Sequence, residues 1–190
     1  MMRLGVPVPD GFTVTTTASI ETSNNKGEWP EGLKEQIAEG LKRFEERTGR
    51  KLGGKEKPLL VSVRSGAVVS MPGMMDTILN LGISDETVEA VAAEANNERF
   101  AWDCYRRFIQ MYGDVVEGVP QHLYEDALSA KKAEKGVAGD TDLSAEDLKE
   151  LVAEFKQISN EALGGDWTTD PVEQLYRSVN AVFRSWGNPR

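Results

Sequence analysis

The chain has 190 residues, with 31 acidic against 22 basic side chains and a formal charge of −9. That balance excludes a general nucleic-acid binder, which needs a basic footprint to neutralise phosphates, and no apolar run reaches the length of a membrane span. The single cysteine, Cys104, permits no internal disulfide and no signal peptide opens the chain, so a cytoplasmic protein of one domain or two small lobes is expected.

Residues 1–83 mix strand and helix signals. The stretch 11–17 is rich in Thr, Val and Phe and predicts a strand after a proline-containing turn. Over 30–48, Leu33, Ile37, Leu41 and Phe44 fall on one face of a helix. Gly49, Gly53 and Gly54, among lysines, mark an exposed turn. The run 59–63 has the β-branched, apolar composition of a buried strand. Residues 77–81 predict a further strand, with a short helix left open by the pattern.

From Ser84 to about Trp167 the pattern is helical. Ser84 followed by Asp85 and Glu86 predicts a helix start, with acids near the positive end of the dipole. In 97–112, Phe100, Cys104, Phe108 and Met111 form one stripe, broadened by Trp102, Tyr105 and Ile109, which makes Cys104 a small core residue rather than a nucleophile. Pro120 opens another helix that ends near Gly136, and the small, polar run 136–142 is expected to be a mobile loop. Ser144 with Asp147 matches a capping box ahead of Leu148, Leu151, Val152, Phe155 and Ile158. A last helix starts at Asp170-Pro171-Val-Glu173, with an N-cap, a proline at the first position and an acid at the third. No internal repeat is present.

The chemistry concentrates after residue 63. Arg64 would project where a strand ends, a common place for a ligand group in α/β folds. Its guanidinium is permanently charged and offers a planar fork suited to phosphate oxygens. The bland alternative is a salt bridge to one of the many acids. The loop that follows carries Ser65, Gly66, Ser70, Pro72, Gly73 and Thr77; its glycines allow close backbone approach and its N–H groups can face an anion. This combination describes a phosphate-binding loop beside a fixed cation. Met71, Met74 and Met75 fit either a core or a cover over phosphates, and Asp76 alone does not make a magnesium site. Arg106 and Arg107 lie about 100° apart around a helix axis; taken from the pattern alone they are a solvated charged face. His122, the only histidine, stands at a helix start with no catalytic context and is expected at the surface. No Ser-His-Asp or Cys-His set and no zinc-ligand spacing is found.

The run Arg64-Ser-Gly-Ala-Val-Val-Ser-Met-Pro-Gly-Met-Met-Asp-Thr-Ile-Leu-Asn-Leu-Gly82 resembles the loop of the pyruvate, phosphate dikinase family, in its N-terminal ATP-grasp nucleotide-binding domain. Three further stretches fit the same family in the same order: Gly5-Val-Pro-Val-Pro-Asp-Gly-Phe-Thr-Val-Thr-Thr16, Arg99-Phe-Ala-Trp-Asp-Cys-Tyr-Arg-Arg-Phe-Ile-Gln-Met-Tyr112 and Val182-Phe-Arg-Ser-Trp-Gly-Asn-Pro-Arg190. The likeness thus spans almost the whole chain. The Met-Pro-Gly-Met-Met-Asp-Thr loop is specific, because related water-using phosphoenolpyruvate synthases carry a different one.

The resemblance implies an α+β fold, a partial ATP-grasp-like domain in which an all-helical lobe is inserted into a mixed α/β lobe. The divisions would be 1–83 for the mixed lobe, 84–169 for the helical lobe and 170–190 for a helix returning to the first. It implies nucleotide-phosphate contacts from Arg64, Arg107, Ser70, Gly73, Met75, Asp76 and Thr77, with Arg106 structural and Arg184 making packing or lobe contacts. Met71, Met74 and Met75 would belong to a movable cover. The implied cofactor is ATP with Mg2+, whose magnesium ligands are expected outside this chain. The implied partners are phosphate and the phosphohistidine and pyruvate-binding domains of a homo-oligomeric parent enzyme.

That enzyme interconverts ATP, phosphate and pyruvate with AMP, pyrophosphate and phosphoenolpyruvate. Its N-terminal domain helps pass a pyrophosphoryl group to a histidine in a Thr-Ser-His motif, which His122 does not match. The family's upstream Gly-Gly-Lys segment and its third lobe have no counterpart here, so the chain is expected to be a fragment with no catalytic residue of its own and unable to complete the dikinase cycle. Two alternatives stay open: a non-enzymatic module that binds a nucleotide or a partner protein, and a truncated product without a role of its own.

Overall fold

The computed structural model describes residues 4–5, 8–66 and 77–186. Among them seven α-helices and four short strands form an α+β arrangement in which helices dominate. After an extended segment comes α1 (Thr16–Asn24), then α2 (Leu33–Thr48), which buries Leu33, Ile37 and Leu41 with Phe44 packed against the same core. α2 stops at Gly49, whose left-handed φ of 64° a side chain would disfavour. β1 (Lys51–Leu52) pairs in parallel with β2 (Pro58–Leu59), and β3 (Val61–Val63) pairs antiparallel with β4 (Ile78–Leu81). The second pair has Val61 opposite Leu81 and Val63 opposite Ile78, with a register irregularity between them.

α3 (Val88–Ala95) leads into α4 (Glu98–Tyr112), which Asn97 caps by accepting from the Phe100 N–H at 3.0 Å. A π-helical turn at Gly113–Glu117 extends α4. α5 (Gln121–Lys135) follows, and then α6 (Ala145–Ala162), whose Ser144–Asp147 capping box forms as its residues predict. α7 (Pro171–Trp186) is capped by Asp170, whose Oδ1 accepts from the Val172 N–H at 2.9 Å.

α4 is the centre of the core. It packs on α3, α6 and β4, while α5 packs on α6. Phe108, Ile109, Tyr112, Tyr124, Leu148, Leu151 and Phe155 are sealed from solvent there, each apolar side chain of this kind contributing roughly 1.5–3 kcal/mol. α7 lies against α1, β3, β4 and the π-helical turn.

Five expectations are corrected. Residues 11–17 form no strand: Thr15 is extended (φ −76°, ψ 157°), but the segment has no ladder partner among the described residues and turns into α1. β propensity becomes a strand only where another edge accepts it. The run 59–63 is not one buried strand. It divides at Leu60 between the two sheets, with Val61 and Val63 half-buried and Ser62 exposed. The turn at Ser84 precedes α3 by one turn, because the buried Thr87 hydroxyl donates to the Gly82 carbonyl (3.0 Å) and accepts from the Ser84 N–H (2.8 Å). Phe100 is exposed, while Tyr105, Phe108 and Ile109 of the expected stripe are buried together with Ala101 and Tyr112. Residues 136–142 are anchored: Arg99 donates to the carbonyls of Asp140 (2.7 Å) and Leu143 (2.8 Å), and Lys132 pairs with Asp140 at 2.9 Å.

Candidate functional site

The extended segment before α1, α2, β3 and α7 enclose a groove of about 830 Å³. One wall is held by Phe12, which packs so closely over Gly40 that a Cβ there would lie 3.1 Å from the ring. Arg47 fastens the same wall, donating to the Gly11 carbonyl at 3.2 Å and pairing with Asp10 at 3.6 Å. The floor is apolar: Leu41, Phe44, Val61, Val63, Leu175, Val179 and Phe183. Hydroxyls of Thr13, Thr15, Thr16, Ser19 and Ser62 also line the groove. This Thr-rich wall was visible in the composition of residues 13–17, though as a strand rather than as a lining.

Arg64 stands at the end of β3, exposed and lining this groove. Among the described residues the lining holds two ionisable side chains, Arg64 and Asp10, and Asp10 already faces Arg47. The salt bridge that would make Arg64 unremarkable is therefore not formed among the described residues. A positive charge on the lining of a concave surface, with no carboxylate partner among the described residues, is chemically suited to an anion.

The other site residues that the structure describes do not line this groove. Ser70, Gly73, Met75 and Asp76, like Met71 and Met74, lie outside the described residues. Thr77 is half-buried just before β4. Arg106 is buried at 3 % exposure, bonded to Asp103 at 2.8 Å and near Asp140 at 3.5 Å, which makes it a structural cation. Arg107 is exposed on the outer side of α4, paired with the other oxygen of Asp103 at 2.9 Å, and does not line the groove. Arg184 donates to the Val116 carbonyl at 3.2 Å and so joins α7 to the π-helical turn. His122 is exposed. Cys104 is half-buried, and burial, with Asp103 second, pushes its thiol up, away from the reactive thiolate.

One contact escaped the linear reading. The Trp186 indole Nε1–H donates to Ser65 Oγ at 2.8 Å, across 121 residues of chain. Both residues stood out as motif members, but nothing in their spacing joins them.

Among the described residues no group of three or more His, Cys, Asp or Glu side chains is placed to hold a metal. No helix among them is long and apolar enough to cross a membrane.

Residues 19–190 match the family described as pyruvate phosphate dikinase, AMP/ATP-binding domain. The chain is 54% identical to the pyruvate, phosphate dikinase of Clostridium symbiosum, over 100% of this chain and 22% of that protein. It is 50% identical to that of Rhizobium meliloti (strain 1021), over 100% of this chain and 21% of the relative. It is 51% identical to a chloroplastic form from Oryza sativa subsp. japonica, over 100% of this chain and 20% of the relative. The chain thus spans about a fifth of the length of the curated relatives it matches. With a match across nine-tenths of its residues, the chain belongs to the pyruvate phosphate dikinase AMP/ATP-binding domain family.

Proposed function

We propose that this chain is part of the ATP-phosphate site of a pyruvate, phosphate dikinase, with an ATP-grasp-like layout. In this reading 1–83 is the mixed lobe, 84–169 an inserted helical lobe, and 170–190 the helix that returns to the first. Arg64 holds the phosphate oxygens. The loop at 70–77 closes over them, with hydrogen bonds from Ser70 and Thr77, close backbone approach at Gly73, cover from Met75 and orientation by Asp76. Arg107 adds a second cation from α4, and to reach the phosphates it exchanges its bond to Asp103 for one to the nucleotide.

The parent reaction converts ATP, phosphate and pyruvate to AMP, pyrophosphate and phosphoenolpyruvate. In its first step a histidine on a separate domain takes the pyrophosphoryl group from ATP, and the oxygen of AMP leaves. This chain's share is electrostatic: a fixed guanidinium offsets charge on the transferring phosphates and holds them in line with the nucleophile. Magnesium, with its protein ligands expected outside this chain, would add charge neutralisation to the same phosphates.

The observation that carries the reading is the exposed Arg64, unneutralised among the described residues, at the mouth of the groove. Calorimetric titration of the chain with ATP and magnesium tests it. Arg64→Ala is expected to weaken binding at least about tenfold, the scale of one charge-assisted hydrogen bond to phosphate, without shifting the melting temperature. Equal affinities for the two proteins would remove Arg64 from the site. No binding by either would favour a non-enzymatic module.

A further inference from the structure

We propose that Trp186 is a positioning residue for the phosphate site, acting through Ser65 to set the direction in which Arg64 projects. The inference rests on the nucleotide reading above. β3 ends at Val63, so the chain beyond it lacks the ladder that fixes a strand. Exposure nonetheless keeps alternating past that point. Val61, Val63 and Ser65 are half-buried, while Ser62, Arg64 and Gly66 are exposed. An alternation of two is the signature of extended backbone, in which fixing one side chain fixes the face of its neighbours.

What holds the alternation beyond the strand is the Trp186–Ser65 bond, a side-chain hydrogen bond that ties residue 65 to the end of α7. An indole has a single donor, and here it is committed to the residue next to the candidate cation. The donor is well based. Trp186 is the final residue of α7, which packs on β3, β4 and α1, and its ring also lines the groove. Ser65 does not line the groove; its neighbours Arg64 and Gly66 do. The bond therefore draws Ser65 toward α7 and leaves Arg64 on the side where an anion would sit. Without it, a long guanidinium side chain would sample many directions and meet a phosphate less often.

Titration of the 190-residue chain with MgATP, alongside thermal melts, tests the proposal. Trp186→Phe keeps the ring and removes the donor; Ser65→Ala removes the acceptor. Each is expected to weaken binding about tenfold with an unchanged melting transition. The double variant should bind no more weakly than either single one, because both break the same bond. Ser65→Thr, which keeps the hydroxyl, should bind like the unaltered chain. If Trp186→Phe loses stability, Ser65→Ala decides, since it leaves the α7 packing intact. Wild-type affinity in Ser65→Ala, with binding lost in Arg64→Ala, would overturn the positioning role and spare the phosphate assignment. Absence of binding in the unaltered chain would overturn both.

Discussion

Three arginines show how little residue type says about role. Arg64, Arg106 and Arg107 carry the same guanidinium, but the first faces a groove, the second is sealed beside Asp103 and Asp140, and the third is exposed with one ion pair. Glycines divide in the same way. Gly113 opens the π-helical turn directly beneath the Tyr124 ring, where a Cβ would run into the Tyr124 hydroxyl. That hydroxyl is itself bonded to Ser159 Oγ at 2.7 Å and fully buried, so it cannot swing away. Gly113→Ala should cost about 2 kcal/mol by overpacking, measured by urea unfolding, whereas Gly118→Ala, at φ 76° with open space around it, should cost only about 1 kcal/mol through backbone strain. A cost at Gly113 no larger than at Gly118 would show that the π-helical turn can shift.

At the scale of elements, helix ends and faces were largely legible. The α6 capping box, the Asp170-Pro171 start of α7 and the Gly136 stop of α5 each rest on one or two residues acting within a turn, which is why a linear pattern contains them. Strands were less legible, because a ladder needs a partner that may be distant in the chain. The polar anchors of the 136–147 segment add a pH dependence. Hydrogen bonds from Ser144, then Lys135, hold the Asp147 carboxyl well below its usual range, and Lys132, with Arg106 second, lowers that of Asp140. A carboxyl with a lowered folded-state value stabilises the fold fully above its unfolded value, about 3.9, and loses that contribution as pH falls through the lowered one. Thermal melts between pH 7 and pH 2.5 should therefore stay level down to about pH 4 and decline below it. In a double Asp140→Asn, Asp147→Asn variant the acid decline should be shallower. An identical decline would place the acid sensitivity elsewhere.

Across the whole molecule, α7 is the element that connects distant parts. Near its first turns Arg177 reaches Glu117 on the π-helical turn at 3.2 Å, and Glu117 also accepts from the Tyr112 hydroxyl at 2.8 Å. Near its end Arg184 meets Val116, and Trp186 meets Ser65. Arg177→Ala leaves Glu117, only 12 % exposed, without its cation, and should cost about 2 kcal/mol, read from chemical denaturation. Glu117→Gln in the same background should recover part of the loss by removing the unpaired charge. If it recovers nothing, the Arg177 side chain acts through packing rather than charge.

Periodic apolar faces and helix caps were determined by residues close in the chain, since each depends on interactions within a turn or two. For that reason the helical content could be named from the sequence, whereas the candidate phosphate cation rested on the resemblance of its motif. Only the tertiary structure decided which arginine is buried, that residues 11–17 wall a groove instead of forming a strand, and that Trp186 reaches Ser65. Those outcomes depend on which surfaces of distant segments exclude water from one another, and no local pattern encodes that choice.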